Sequence, residues 1–353
     1  AASTATAATV TGLTNGTSYL FRVAAVNGAG TGVAVVSAAI IPQTVASAPT
    51  ALVGAFGNTQ VNLSWTAPAV NGGSSVSDYL IQFRLNTSDS TWNSFVHSAS
   101  VQTSISVTGL VNGMSYLFQV AAVNGAGVGA FVQSAAVTPA TVASSPTNLV
   151  GTFGNTQVSL SWNAPLSNGG SAISNYAIEY SSNNGMSWTS FAHAASTATA
   201  ATVTSLTNGT SYLFRVAAVN AAGTGAAVVS AAVIPKTVAS VPISLNATFG
   251  DRKVTLAWTL PTANGGVAIT DYAVQYRRSS DAAWTTFIDR VSVATSASVT
   301  NLVNGTSYDF QIGAVNAAGT GNYAQILAVI PKTVATVPSL LVGTFGNAQV
   351  GLS

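Results

Sequence analysis

Leu206-Thr-Asn-Gly-Thr-Ser-Tyr212 is one of four copies of a seven-residue motif in this chain. The other copies begin at Leu13, Leu110 and Leu302, so successive copies are 96 or 97 residues apart. Each copy leads into a short apolar segment and then into a glycine-rich Asn-x-Ala-Gly-x-Gly turn. A period this long and regular predicts a string of copies of one domain.

A second motif, Pro-x-Thr-Val-Ala-(Ser/Thr)-x-Pro, separates these copies and divides the chain into five units, which we number 1 to 5. A proline at each end fixes φ and disfavours helix, so we expect extended and fairly stiff connectors. Residues 1–42 repeat residues 194–235 with four differences, so we expect the chain to be a window of a longer array. The predicted units are a C-terminal half at 1–42, complete repeats at 49–139, 146–235 and 242–331, and an N-terminal start at 338–353, and the connectors are 42–49, 139–146, 235–242 and 331–338.

Within a unit, the apolar segments are short and alternate with a period of two, which predicts β-strands. In unit 2, for example, Val61, Leu63 and Trp65 share one face of such a segment. Asn-Gly-Gly triplets at 71–73, 168–170 and 264–266 mark turns. About six or seven short strands per unit predict an all-β fold, an antiparallel β-sandwich.

The order of landmarks resembles that of the fibronectin type III domain. Units 2 and 3 each have an opening Pro, a Trp on the second strand, Ala-Pro, Gly-Gly-Ser, a Tyr-x-Ile-x-(Tyr/Phe) strand, the seven-residue motif and Val-x-Ala-Val-Asn-x-Ala-Gly. The resemblance covers nearly the whole chain and implies tandem immunoglobulin-like sandwiches. It also implies a tyrosine corner in each complete unit, which would join Leu110 with Tyr116, Leu206 with Tyr212, and Leu302 with Tyr308. Such a resemblance implies a fold more than a function.

The composition argues against several classes of protein. Only 5% of residues are charged, against roughly 25% in an ordinary domain. The net charge of +2 is spread along the chain without a basic cluster, which argues against nucleic acid as a partner. The longest apolar stretch, 33–42, is interrupted by Ser37 and is too short to span a membrane. The absence of cysteine excludes disulfides and thiolate metal sites.

The candidates for chemistry all have structural explanations. His97 and His193 occupy equivalent positions with no carboxylate pair or nucleophile nearby, which argues against a metal site or a catalytic base and favours surface histidines. The glycine-rich turns lack the Lys and the helix of a phosphate-binding loop, so we predict hairpin turns. We therefore predict no catalytic, cofactor-binding or metal-binding residue. We assign three tryptophans to the core and three to the core or a sheet edge: Trp65, Trp162 and Trp258, and Trp92, Trp188 and Trp284.

One surface feature suggests a partner. On segments that should alternate between core and solvent, several outward positions are also apolar, which weakens the protection that strands normally have against association. The hypothesis is that the units pack side by side with other copies or with components of the cell envelope. The alternative is that glycans cover these faces or that an alanine-rich surface is tolerated. The predicted self-association residues are Leu20, Ala24 and Val26, and their equivalents Leu213, Ala217 and Val219.

These observations predict a secreted or surface-displayed extracellular repeat protein of the bacterial type, with no enzymatic activity. Its role would be structural, as an extended stalk or fibre that can also associate laterally into filaments. Each unit should add roughly 30–40 Å of length. The alternatives are an adhesin that binds a protein or glycan, accessory linker modules of a secreted polysaccharide-degrading enzyme, and a phage appendage.

Overall fold

A computed structural model of the chain describes residues 3–335 and 340–352, which contain strands, turns and loops but no helix. Residues 336–339, which include the end of the fourth predicted connector and the start of unit 5, lie outside the described residues. In unit 1 the structure has two short pairs of antiparallel strands. They are β1 (Arg22–Val23), β2 (Val26–Asn27), β3 (Gly30–Thr31) and β4 (Val35–Val36).

Unit 2 has eight strands in two antiparallel sheets: β5 (Thr50–Gly57), β6 (Gln60–Thr66), β7 (Asp78–Leu85), β8 (Asn93–Ser94), β9 (Ser104–Thr108), β10 (Tyr116–Asn124), β11 (Gly127–Val128) and β12 (Val132–Gln133). One sheet has the order β5-β6-β9, and the other has the order β8-β7-β10 with β11 and β12 both paired to β10. The chain thus changes sheets between β6 and β7 and again around β9, as in an immunoglobulin-like sandwich.

Unit 3 repeats this arrangement with the sheets β13-β14-β17 and β16-β15-β18-β19. Its strands are β13 (Thr147–Gly154), β14 (Gln157–Asn163), β15 (Asn175–Ser181), β16 (Thr189–Ser190), β17 (Ala200–Val203), β18 (Leu213–Asn220) and β19 (Gly223–Val229).

Unit 4 has the sheets β20-β21-β24 and β23-β22-β25-β26, with β27 also paired to β25. Its strands are β20 (Ile243–Gly250), β21 (Lys253–Thr259), β22 (Ile269–Arg278), β23 (Thr285–Thr286), β24 (Ser296–Val299), β25 (Tyr308–Asn316), β26 (Gly319–Thr320) and β27 (Ala324–Val329). A hairpin of β28 (Gly343–Gly346) and β29 (Gln349–Leu352) follows in unit 5.

The core of each complete unit lies between its two sheets and consists of the alternate residues that the sequence pattern selects. In unit 3, Leu160 and Trp162 from β14 face Phe214 and Val216 from β18, and all four are buried. Trp162 is only 4% exposed, and its ring meets the edge of Tyr176 at 5.2 Å between centroids. The predicted core role of this tryptophan is confirmed, because a ring this deeply buried has no face free for a sugar.

The predicted tyrosine corner is also confirmed. The backbone N–H of Thr207 donates a hydrogen bond of 3.1 Å to the hydroxyl of Tyr212, five residues further along. Leu206 and the ring of Tyr212 are both buried. The corner therefore closes the loop that carries the chain from the first sheet into β18. The same bond is made by Thr14 with Tyr19, Val111 with Tyr116, and Val303 with Tyr308.

Removal of the corner hydroxyl tests this role. We expect Tyr212→Phe to destabilise unit 3 by about 1 kcal/mol, because the Thr207 N–H loses its acceptor while the ring stays in the core. Hydrogen exchange followed by mass spectrometry under increasing denaturant measures the opening free energy of each unit separately. Tyr180→Phe is the matched control, since its half-buried ring lies in the same unit and its hydroxyl has no hydrogen-bond partner among the described residues. Equal losses in the two variants would contradict the prediction.

Candidate functional site: the outer sheet face and the poles of the units

The six residues predicted for self-association lie on equivalent parts of units 1 and 3. Leu20 and Val26 are well exposed in unit 1, where Ala24 is half-buried. In unit 3, which has both complete sheets, Leu213 and Val219 are half-buried on the outer face of β18. The complete unit therefore leaves less apolar surface open at these positions than the two strand pairs of unit 1.

Ala217 departs from the sequence expectation, because it is only 6% exposed. β18 lies between two strands, and Ala217 pairs with Ala177 of β15 on one side and with Ala227 of β19 on the other. A small side chain in the middle of the sheet is covered by its neighbours even when it points outward. Ala217 can therefore offer almost no area to a partner.

A polar pair divides the remaining apolar positions. Arg215 lies on the outer face of β18 between Leu213 and Ala217, and its Nε is 2.6 Å from Oε2 of Glu179 on β15. The other two complete units have a neutral pair at the same place, with a hydrogen bond of 2.6 Å in each. Each outer face thus has a polar centre whose groups bond to one another, and in units 2 and 3 apolar residues lie on either side of it. The neutral pairs are Gln82 with Gln119 in unit 2 and Gln275 with Gln311 in unit 4.

An arginine–tryptophan stack, which the sequence pattern did not reveal, occurs on this face in every complete unit. In unit 3 the guanidinium of Arg215 lies 4.5 Å from the ring centroid of Trp188. Such a cation–π contact contributes about 0.5–1 kcal/mol at a partly exposed site. It also explains why the second tryptophan of each unit is half-buried at the sheet edge. The corresponding contacts are Arg84 with Trp92 at 4.9 Å and Arg277 with Trp284 at 4.6 Å.

The two histidines serve the fold and are half-buried, not fully on the surface as predicted. The Nε2 of His97 lies 3.0 Å from the carbonyl oxygen of Tyr79, and its Nδ1 lies 2.9 Å from that of Ser98. His193 makes the same two contacts in unit 3. The imidazole thus connects the loop after β8 to β7 in unit 2, and the loop after β16 to β15 in unit 3. Within residues 3–335 and 340–352, no group of three or more His, Cys, Asp or Glu residues could hold a metal ion.

Unit 4 has acidic residues where the other units have none. Asp289 replaces the histidine, and its pKa is raised by partial burial and then by the negative charge of Asp271. Asp309 on β25 stands where unit 3 has Leu213 and is 5% exposed. Burial alone would raise the pKa of Asp309. Hydrogen bonds from Ser279 and the backbone N–H of Ala328, together with Arg277 3.2 Å away, outweigh that effect and lower its pKa.

The glycine-rich turns are hairpin turns, as predicted, but their first residue has a further role. Asn220 is 5% exposed. Its Nδ2 donates hydrogen bonds to the carbonyl oxygens of Thr141 at 2.8 Å and Asn168 at 2.7 Å. Its Oδ1 accepts one from the N–H of Ala222. The side chain therefore joins the hairpin turn, the Asn-Gly-Gly turn and the connector at one pole of the unit. Asn124 and Asn316 make the same set of bonds in units 2 and 4.

These features define a class of protein. The chain is a tandem array of immunoglobulin-like β-sandwiches whose notable side chains support the fold and the joints between units. The family model of the fibronectin type III domain matches residues 47–138, 144–233 and 240–330, and the chain belongs to this family. The match is to a domain family and not to a family of enzymes.

Three curated relatives are much longer than this chain. The chain is 28% identical over 298 residues to titin from Drosophila melanogaster, which covers 81% of this chain and 2% of titin. It is 28% identical over 332 residues to the striated-muscle M-protein of Gallus gallus, which covers 89% of this chain and 23% of that protein. It is 29% identical over 203 residues to the human cell adhesion molecule DSCAM, which covers 55% of this chain and 10% of DSCAM. The chain thus spans less than a quarter of the length of each of these relatives.

The relatives named as a striated-muscle protein and as a cell adhesion molecule agree with a structural or adhesive array. In the described part of the chain, no helix has the length and hydrophobicity to cross a membrane.

The buried carboxylate of Asp309 predicts a pH dependence. Because its pKa in the folded state lies below the ordinary value of 3.8, the carboxylate stabilises unit 4 above pH 3.8. This stabilisation is lost as the pH falls from 3.8 through the folded-state pKa. Asp309→Asn cannot ionise, so we expect it to unfold at a lower temperature than the parent at pH 7, with a smaller difference below pH 3.8. Scanning calorimetry of the full chain measures both.

Asp281→Asn is the matched control for this experiment, because it removes the same charge from an exposed position in the same unit. A difference between the parent and Asp309→Asn that stays constant on acidification would show that the carboxylate does not stabilise the fold in the way described.

Proposed function

We propose that this chain is a non-catalytic structural array, an extended stalk or spacer displayed outside the cell. The observation that carries the proposal is that the units repeat their scaffold but vary their surface. The buried tryptophan, the tyrosine corner and the asparagine at the pole are the same in all three complete units. By contrast, the histidine of units 2 and 3 is Asp289 in unit 4, and Arg215 of unit 3 is a glutamine in units 2 and 4.

This contrast separates a spacer from a set of identical binding modules. If each unit bound the same ligand, the same exposed side chains would recur at the same positions. Here most of the recurring residues lie in the core or at the poles, and a change on the outer face leaves them intact. The exception is the second tryptophan of each unit, which stacks on an arginine of the same unit. A role that depends on the number of units and on their spacing fits this pattern.

Two of the relatives support the structural role, and one of them also supports the extracellular location. A striated-muscle protein and a cell adhesion molecule among the relatives both fit a structural array. The adhesion molecule supports display at a cell surface. The absence of cysteine is compatible with that location, because sandwiches of this size can bury a sufficient core without disulfides.

Adhesion is the second candidate function, and one structural observation favours it. The loop before His97 and its equivalent in unit 4 present Val96 and Ile288 to solvent, at 90% and 91% exposed. Large apolar side chains on an exposed loop suit contact with a protein or glycan partner. Unit 3 has Ala192 at this position, so the feature is absent from one complete unit.

Removal of one unit from the array tests the proposed role as a spacer. Deletion of residues 141–236 joins Ala140 directly to Thr237, which is the equivalent of Thr141, and so removes one unit while preserving the connector sequence. We expect the maximum dimension from small-angle X-ray scattering to fall by roughly 30–40 Å, the length of one unit. An unchanged maximum dimension, or a parent chain collapsed into a globule, would contradict the proposal.

Lateral association is the further part of this proposal, and its surface consists of the apolar positions beside the polar pair. We expect Leu213→Lys with Val219→Lys to weaken concentration-dependent association in sedimentation velocity, because two charges would have to be desolvated in the contact. Ser182→Lys with Thr204→Lys is the control, since both residues are exposed and the added charge is equal. An equal effect of both pairs would attribute association to net charge and contradict this surface.

A further inference from the structure

We propose that successive units are locked into a stiff rod by a repeated docking surface, which is the Asn-Gly turn of one unit seated on the Asn-Gly-Gly turn of the next. This inference rests on the proposed structural function and specifies its mechanics. It would make the chain a spacer of fixed length and fixed rotation per unit, in contrast to a flexible string of beads.

The two turns approach so closely that neither tolerates a side chain. A Cβ built on Gly266 of unit 4 would lie 2.5 Å from the backbone nitrogen of Gly209 in unit 3. A Cβ built on Gly209 would lie 2.5 Å from the carbonyl oxygen of Gly266. Cβ atoms essentially never approach other atoms to less than 3.0 Å. At the other two junctions a Cβ on Gly73 or Gly170 would lie 2.3 or 2.4 Å from the nitrogen of Gly16 or Gly113. A Cβ on Gly16 or Gly113 would be less crowded, at 3.1 or 3.2 Å from the facing glycine.

Each connector is hydrogen-bonded to the unit before it. In the connector between units 3 and 4, the carbonyl oxygen of Pro235 accepts a hydrogen bond of 2.9 Å from the N–H of Gly209. The next residue, Lys236, donates its N–H to the carbonyl oxygen of Gly154 at 3.1 Å. Its ammonium group lies 4.3 Å from the ring centroid of Phe153. Two consecutive connector residues are thus fixed to unit 3.

The following residues are fixed to the unit after the connector. The N–H of Thr237 donates to the carbonyl oxygen of Gly265 at 2.9 Å. The carbonyl oxygen of Thr237 accepts from the buried amide of Asn316 at 2.9 Å. Two residues later, Ala239 belongs to the core of unit 4.

The connector therefore has no free hinge residue. Lys236 is bonded to unit 3 and the very next residue, Thr237, is bonded to unit 4, so rotation between the units must break a hydrogen bond or separate the turns. The connector between units 2 and 3 has the same arrangement, with Ala140 bonded to Gly57 and Thr141 bonded to Gly169. Proline alone would limit φ at two positions, whereas these contacts fix both the direction and the rotation of the next unit.

Distance measurements in the full chain test the rod. The chain has no cysteine, so Ser182→Cys and Ser280→Cys place spin labels only at these two exposed positions of units 3 and 4. We expect double electron–electron resonance to give one narrow distance distribution. A broad distribution in this parent chain would overturn the proposal.

Gly209→Ala in the labelled chain should broaden the distribution, because its Cβ would collide with the backbone of Gly266. Gly305→Ala is the matched control. It lies in the same turn of unit 4, its φ is +80° against +83° for Gly209, and no described atom lies within 4 Å of its Cβ position. The backbone strain of an alanine is therefore equal in the two variants, and only the docking contact differs. A distribution that stays narrow in Gly209→Ala would overturn the role of the turns.

A second variant keeps the test decisive if Gly209→Ala unfolds unit 3. Insertion of Gly-Ser-Gly between Lys236 and Thr237 leaves both units unchanged and separates their two anchors. We expect a broad distribution with unchanged hydrogen exchange in the cores, and a narrow one would overturn the proposal. If the junctions prove flexible, the stiff-rod proposal fails. The decrease in maximum dimension on deletion of residues 141–236 still tests the spacer function, so the two proposals can fail independently.

Discussion

The architecture depends on the burial of one asparagine amide in each complete unit. Asn220 loses its contact with water, which is costly unless its polar atoms find partners. Both partners of its Nδ2 are backbone carbonyls of distant segments, one in the Asn-Gly-Gly turn and one in the connector. The amide is therefore satisfied only when the hairpin turn, the Asn-Gly-Gly turn and the connector are all in place. For this reason the pole of a unit and the chain that enters it form one structure.

The sequence predicted the fold well because the features that decide it are local. Alternation over a few residues identified Leu63 and Trp65 as core residues. The seven-residue motif carried the resemblance that implied a tyrosine corner between Leu206 and Tyr212, where the structure has the hydrogen bond from Thr207 to the tyrosine hydroxyl. The pole could not be predicted in this way, since the partners of Asn220 lie 52 and 79 residues away. The arginine–tryptophan stacks could not be predicted for a further reason, because the arginine does not come from the same strand in each unit. The arginine stacked on Trp188 lies on β18, while those stacked on the equivalent tryptophans lie on β7 and β22.

The outer sheet face shows how a chain with so few charges remains well ordered. Where an ordinary strand would expose lysine and glutamate to water, these units pair polar groups with one another across strands, as Gln82 does with Gln119. The polar atoms of such a pair bond to each other and so need fewer hydrogen bonds from water. Because the pair has no net charge, it also creates little long-range repulsion between molecules. Alternation predicted that outward positions of these faces are often apolar. Ala217 is one of these positions, but neighbouring strands cover it, and Asp309 places a charge at the equivalent of Leu213 in unit 4.

Stiffness and lateral contact are linked by simple energetics. The apolar area beside each polar pair is small, so one unit would bind another copy weakly. In a flexible string, each additional contact requires another joint to be ordered, and that loss of conformational entropy offsets the gain. In a rod, the docked turns and the bonded connector have already fixed the orientation of every unit. The second and third contacts then form at high effective concentration, so weak surfaces add along the length. The joints between units, more than the outer faces themselves, would therefore decide whether such an array can assemble.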